Sequence, residues 1–188
     1  MAKLFEGIEK DHSNADIGWM NNKSPFYNEG YKAAARELTL DYGGRSTTEK
    51  DTLVFPVVFL YRQYIELTLK DLIRELDNKL GYKRNDNILA QHKLLPLWDA
   101  AIKQYDTFIK QENITLVFTS TSHKERIIVN QFNQIDEDSF SFRYASDKKG
   151  KETLGGVDYI SVDNFKSQIE QVVTYIEKMI ETLCHTSI

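Results

Sequence analysis

The stretch from Leu53 to Leu76 limits what this chain can fold into more than any other part of the sequence. Its apolar residues occupy nearly every side of a helix, as in a helix buried in the middle of a protein. Three charged residues, Arg62, Glu66 and Lys70, recur within it at intervals of four and therefore lie on one stripe. The pattern predicts a central helix with a charged stripe in a mostly α-helical fold.

The charged stripe has two interpretations. On a solvent-facing surface, its ion pairs would each contribute only about 0.2–0.5 kcal/mol to helix stability. In a cleft or a subunit interface, removing one partner would cost about 3–5 kcal/mol, because the other charge would be left buried without a counterion. The sequence leaves both interpretations open.

The remaining periodicity predicts a single-domain bundle of about five helices. Ser46 and Glu49 have the spacing of a capping box, but Pro56 is expected to kink the helix or to lie in its first turn, so we predict the main helix over 53–76. Ser161 is expected to cap the last helix, which continues to about Leu183. The other three helices are predicted over residues 26–42, 92–110 and 123–136.

A small β-hairpin is predicted before the last helix. In "FSFRY", residues 140–144, aromatic residues alternate with polar ones, as in a half-buried strand. Residues 156–162, "GVDYISV", are its predicted partner strand. We therefore divide the chain into an N-terminal arm over residues 1–25 and a helical domain over residues 26–184.

Composition excludes several classes of protein. The chain of 188 residues is 41% hydrophobic and 28% charged, which is typical of one soluble globular domain. Its net charge of −4 predicts no overall basic surface, so any contact with nucleic acid requires a local patch. The single Cys184, and the lack of a long apolar run, favour a cytoplasmic protein without membrane association.

Three segments together resemble the HEPN-like proteins of bacteria. They are "LYRQYIELTLKDLI" (60–73), "QHKLLPLW" (91–98) and "IDEDSFSFRYASDKKG" (135–150), and their order and spacing carry the resemblance. The resemblance implies a compact helical bundle that often dimerises and that occurs in toxin–antitoxin and phage-defence systems. Many of these relatives are ribonucleases that need no metal, so no cofactor and no metal are expected.

The candidate catalytic residues are His92 and Arg62. Metal-free RNA cleavage needs a base with a pKa near neutrality and a cation that stabilises the developing negative charge, and histidine and arginine suit these roles. Catalytic relatives carry an arginine and a histidine with about four to six residues between them, whereas seven residues separate Arg84 from His92. A structural role for His92, which would position the start of the third helix, is the alternative.

Four residues are candidates for auxiliary or anion-binding roles: Glu66, Lys70, Arg143 and Asp147. Glu66 is expected to hold the cations in place. Arg143 either adds a guanidinium to an anion site or forms a structural pair with Asp147 or Glu66. The functional expectation is a metal-independent endoribonuclease, and the alternative is a non-catalytic module that binds a partner protein. The expected partners are RNA, a cognate protein and a second copy of the chain, which would dimerise through the last helix.

Overall fold

The structure is a computed structural model that describes Leu4 and residues 9–18, 23–115 and 123–185. Within these ranges the chain forms a mostly α-helical bundle with six helices, one of them a single turn. A short 3₁₀ turn over Tyr42–Gly44 connects the first two helices. The helices are α1 (Ser24–Leu38), α2 (Thr47–Leu80), α3 (Asp86–Leu89), α4 (Leu94–Gln111), α5 (His123–Ile135) and α6 (Val162–His185).

The helix α2 is the centre of the fold, as the sequence predicts. It packs against α1, α4 and α6, while α5 packs against α4 and α6. Its buried side chains cover more than one face, from Val57 to Asp77, and no other described helix contributes as many. Among the described helices, none is long and apolar enough to cross a membrane.

The start of α2 was predicted too late. The helix begins at Thr47, directly after a capping box in which the Ser46 and Glu49 side chains accept each other's backbone N–H. Pro56 lies inside this helix and marks neither its start nor its end. A proline removes only one intrahelical hydrogen bond, and the capping box together with the buried face downstream offsets this loss.

The predicted β-hairpin is wrong. Residues 140–144 form a hydrogen-bonded turn in which Arg143 and Tyr144 donate their backbone N–H to Phe140 O. The carboxylate of Asp136 accepts the N–H groups of Phe140 and Ser141, so these donors are satisfied locally and need no partner strand. The described residues contain only one isolated antiparallel bridge, between Ser146 and Glu152.

The apolar stripe of the last helix, α6, packs into the core of the chain itself. Ser161 accepts the N–H of Asn164 at its start, which confirms the predicted cap. The repeating apolar residues are buried in the core: Val162, Ile169, Val172, Val173, Ile176, Met179 and Leu183. A dimer would therefore have to use other residues than this stripe. The sequence also predicts a capping box for α5, formed by Ser122 and Glu125, but Ser122 lies outside the described residues.

Truncating Leu69 to alanine tests the central position of α2. Leu69 is fully buried, so Leu69→Ala is expected to lower the free energy of unfolding by about 2–5 kcal/mol. The half-buried Leu67 on the same helix provides a second variant, with a smaller expected loss. Urea unfolding curves measure both, and losses below about half a kcal/mol at both positions would contradict the central placement.

The carboxylate of Glu170 on α6 joins three helices. It accepts hydrogen bonds from Arg36 Nε and Nη2 on α1, at 2.9 and 2.7 Å, and from Tyr61 Oη on α2, at 2.7 Å. The Arg36 hydrogen bonds are the main cause that holds the pKa of Glu170 below its ordinary value of 4.5, against the opposing effect of burial. The ionised form is therefore favoured in the folded chain.

We expect this carboxylate to make stability depend on pH in the acid range. A pKa that is lowered in the folded state contributes stability that is fully present above pH 4.5 and is lost as the pH falls through the folded value. Glu170→Gln should therefore flatten the acid side of a plot of unfolding free energy against pH. The exposed Glu37→Gln on α1 is the control for loss of one carboxylate, and equal slopes in the two variants would refute the assignment.

Candidate functional site

The charged stripe of α2 is buried and does not face solvent. Arg62 is 0% exposed and Glu66 is 2% exposed, and Lys70 is also buried. Arg62 contacts both the segment before α4 and the segment after α5, and Glu66 contacts the first of them through His92. The interpretation as a buried cluster is therefore correct, and the solvent-facing one is wrong.

The guanidinium of Arg62 binds acceptors from three parts of the chain. Nη1 donates to Glu66 Oε2 at 3.1 Å, and Nη2 donates to His92 O at 2.7 Å and Glu137 O at 3.2 Å. Nε donates to Asp136 O at 3.3 Å and lies 3.5 Å from Asp136 Oδ2. Burial lowers the pKa of Arg62, while the charges of Asp136 and Glu66 oppose this effect. The guanidinium thus fastens two connecting segments to α2.

Glu66 accepts from all the cations predicted around it except Arg143. One carboxylate oxygen, Oε2, accepts from Arg62, and the other, Oε1, lies 2.8 Å from Lys70 Nζ and 2.9 Å from His92 Nδ1. A carboxylate oxygen accepts hydrogen bonds, so the hydrogen bond to Glu66 uses the tautomer of His92 that carries its proton on Nδ1.

The imidazole of His92 lies at the boundary between this buried cluster and solvent. Its side chain is 65% exposed, although its Nδ1 edge is bound to Glu66. With the proton on Nδ1, the lone pair of Nε2 at the other edge of the ring is free to accept a proton. The backbone carbonyl of His92 separately binds Arg62, directly before α4 begins at Leu94. The backbone of His92 therefore contributes to the buried cluster, while its ring is oriented by Glu66.

Asp136 is a site residue that the sequence analysis missed. It lies directly after the last residue of α5, where the helix macrodipole disfavours a negative charge. That unfavourable position was the available signal that the carboxylate serves another group. Its two oxygens are shared between the N–H groups of Phe140 and Ser141 and the guanidinium of Arg62.

Arg143 and Asp147 lie outside the hydrogen-bonded cluster. Arg143 donates from Nε to Ser139 O at 2.5 Å and forms no ion pair with Glu66 or Asp147 among the described residues. It is close enough to Arg62 for its charge to contribute to the lowered pKa of that residue, after the larger effect of burial. Asp147 accepts the N–H groups of Lys149 and Lys151 and so stabilises its own turn.

Comparison with known proteins yields no relative. The chain matches no protein-family model, no curated protein and no solved structure. Within the described ranges, no group of three or more histidine, cysteine, aspartate or glutamate side chains has the arrangement that would hold a metal ion.

Proposed function

We propose that this chain is a HEPN-like protein that cleaves RNA without a metal ion, with His92 as the general base. The observation that supports the proposal is the contact between His92 Nδ1 and Glu66 Oε1, at 2.9 Å, on a ring that is otherwise exposed. A buried carboxylate that orients an imidazole and fixes its tautomer is a common arrangement for general acid–base catalysis. The resemblance to HEPN-like proteins supports the same reaction class.

The proposed reaction uses the ribose 2′-hydroxyl as the nucleophile. Nε2 of His92 removes the hydroxyl proton while the 2′-oxygen attacks the adjacent phosphorus. The bond from phosphorus to the 5′-oxygen of the next nucleotide breaks, and that oxygen takes up a proton from solvent water. The products are a 2′,3′-cyclic phosphate and a free 5′-hydroxyl, and the positive charge that forms on the imidazole is stabilised by Glu66.

Arg62 and Arg143 have different roles in this proposal. Arg62 is fully buried and its guanidinium already donates to four acceptors, one in each of four residues, so it positions Glu66 and the backbone of His92. Arg143 is exposed, and its guanidinium is the cation available to the phosphate in the transition state. Lys70 holds the second oxygen of Glu66.

The experiment that tests the proposal is RNA cleavage by the purified chain in the presence of EDTA. We expect fragments of a single-stranded RNA that end in a 2′,3′-cyclic phosphate, at the same rate with and without the chelator, because the reaction uses no metal. Intact RNA after incubation with the purified chain alone would refute the proposed ribonuclease activity.

A non-catalytic interaction module is the second candidate. It is favoured by the hydrogen bonds of Arg62, because each nitrogen of its guanidinium already donates to an acceptor within the chain. A guanidinium with this many partners is sufficient explanation for the charged stripe, because it joins three segments of the chain. In this case the module would bind a cognate protein in a bacterial toxin–antitoxin or defence system in the cytoplasm. Retention of a partner protein by the His92→Ala variant, with no RNA cleavage by the wild type, would favour the module.

We also propose that the chain forms a homodimer, as its resemblance to HEPN-like proteins implies. Since the α6 stripe is buried, the interface would use exposed apolar side chains such as Tyr159, Ile127 and Phe55. Light scattering over a range of concentrations is expected to give twice the mass of one chain. A mass of one chain at high micromolar concentration would contradict the dimer.

A further inference from the structure

A group of aromatic and basic side chains lies beside the Arg62 cluster, and of these only Arg143 has a role in the chemistry proposed above. The rings of Phe140 and Tyr144 have centroids 4.6 Å apart and are inclined by 33°. The guanidinium carbon of Arg143 lies 5.6 Å from the centroid of the Tyr144 ring and 5.6 Å from that of Phe59 on α2. We call Phe140, Arg143 and Tyr144 the aromatic ledge.

The ledge is held in position by the buried cluster. The carboxylate of Asp136, which also contacts Arg62, accepts the N–H of Phe140 at 2.6 Å and that of Ser141 at 2.7 Å. Arg143 is fixed by its hydrogen bond to Ser139 O. Tyr144 is nevertheless 52% exposed.

Three lysines follow the ledge on an ordered turn. In residues 147–151, the lysine turn, Asp147 N donates to Lys151 O at 2.8 Å and Asp147 Oδ1 accepts from Lys149 N and Lys151 N. Gly150 takes a positive φ of 79°, which a glycine adopts without strain. Thr153 Oγ1 donates to Tyr144 O at 2.7 Å and so connects the turn to the ledge.

The ledge and the lysine turn form a local basic patch on an acidic chain. Residues 143–151 contain four positive charges and one negative charge, a net charge of +3, whereas the whole chain has −4. The one acid, Asp147, is used inside the turn, and the side chains of Lys148, Lys149 and Lys151 are exposed. Nearby, Lys93 pairs with Glu137 at 2.7 Å and neutralises that carboxylate.

We infer that the aromatic ledge and the lysine turn bind single-stranded RNA, with an unpaired base stacked on Tyr144 and the adjacent phosphates on the three lysines. Exposed aromatic rings next to basic side chains are the usual means of binding single strands, because only an unpaired base offers its face to a ring. Arg143 contributes a guanidinium plane for a second base or for a phosphate. An acidic peptide would use the lysines but would gain nothing from the tyrosine ring.

The patch is suitably placed to hold a strand that enters the candidate catalytic site. Phe59, which contacts Arg143, precedes Arg62 on α2 by three residues and so is adjacent to it on the helix surface. The guanidinium of Arg62 in turn binds the carbonyl of His92. The inference rests on the proposed function in this one respect, that the bound strand is the one cleaved at His92.

Binding is measured apart from cleavage with an RNA whose riboses carry 2′-O-methyl groups. Its length of about 12 nucleotides is within the usual range of site sizes for proteins that bind single strands. Such a strand lacks the nucleophilic hydroxyl and stays intact. By fluorescence anisotropy, the wild type is expected to bind this strand more tightly than the corresponding duplex. Tyr144→Ala should weaken binding by about ten-fold or more, and Tyr144→Phe should leave it unchanged, because the ring makes the contact.

Matched controls separate the patch from general surface effects. Tyr82 has a similar exposure, 50%, and lies in the loop after α2, so Tyr82→Ala should not change binding. The triple change of Lys148, Lys149 and Lys151 to Gln should reduce the dependence of log K on log salt concentration by about 2, since each phosphate contact on a single strand contributes about 0.7. A second triple variant with the same change in charge should not alter it: Lys103→Gln, Lys110→Gln and Lys124→Gln.

Equal binding by Tyr144→Ala and the wild type would overturn the inference, as would equal affinity for duplex and single strand. If lysine substitution weakens binding while Tyr144→Ala does not, the surface binds anions in general, an acidic protein among them, and the inference is also wrong. If the strand binds as described but unmodified RNA is not cut, the proposed catalysis fails and the RNA-binding patch stands. If RNA is cut while the patch variants bind the strand as the wild type does, the inference about the patch is wrong and the proposed cleavage is unaffected.

Discussion

Replacing Arg62 with alanine is expected to lower the free energy of unfolding by about 3–5 kcal/mol. The substitution removes a fully buried guanidinium and leaves the buried carboxylates of Glu66 and Asp136 without this counterion. It also deprives the carbonyl oxygens of His92 and Glu137 of their donor. Arg62→Lys should recover little of this, because one ammonium group cannot reach acceptors from three segments.

Arg74 provides a control on the same helix. It also pairs with an acid, Asp71 at 2.6 Å, but its side chain is 41% exposed. An exposed pair of this kind contributes roughly 0–1 kcal/mol, so Arg74→Ala should have a small effect on urea unfolding curves. If Arg62→Ala and Arg74→Ala gave the same small loss, the buried cluster would not be what fastens the connecting segments to α2.

A double substitution separates the charge from the space that it occupies. Arg62→Met together with Glu66→Gln removes both charges and keeps most of the side-chain volume. Because no charge of that pair is left buried alone, the double variant is expected to be more stable than Arg62→Ala. A double variant that is less stable than Arg62→Ala would indicate that the backbone carbonyls, and not Glu66, are the principal acceptors of Arg62.

The sequence was sufficient to predict the helical bundle, because its helices carry local signals. The apolar coverage of α2 indicates burial, and Ser161 is followed by a regular apolar repeat. The residues that contact Glu66 were also predicted, since Arg62 and Lys70 lie one turn to either side of it on the same stripe. Contacts at i,i+4 follow from helix geometry alone.

The parts that could not be predicted depend on contacts distant in sequence. The alternation in residues 140–144 resembles that of a strand, but the Asp136 carboxylate binds the N–H groups that a strand would have offered to a partner. Likewise, whether Arg62 is exposed or buried depends on the carbonyls of His92 and Glu137, which lie 30 and 75 residues away. Periodicity contains no information about either contact.

The side chain of His92 is expected to be essential for RNA cleavage and nearly irrelevant to stability. His92→Ala should lower the cleavage rate by about 10²–10⁴-fold, the usual contribution of general acid–base catalysis. It should hardly change the free energy of unfolding, because the imidazole is 65% exposed and the hydrogen bond to Arg62 comes from the backbone carbonyl, which alanine keeps. Glu66 loses one contact but retains Arg62 and Lys70.

The exposed His123 at the start of α5 is the matched control, and His123→Ala should cleave RNA at the wild-type rate. Rates measured in EDTA for both variants, beside melting curves for each, separate loss of a catalytic group from loss of the fold. Comparable cleavage by His92→Ala and the wild type would remove the base from the mechanism. Arg62→Ala is expected to lose stability as well as activity. If His92→Ala loses activity and keeps its stability, the cluster has a chemical role. If His92→Ala and Arg62→Ala both lose stability, the cluster has a structural role.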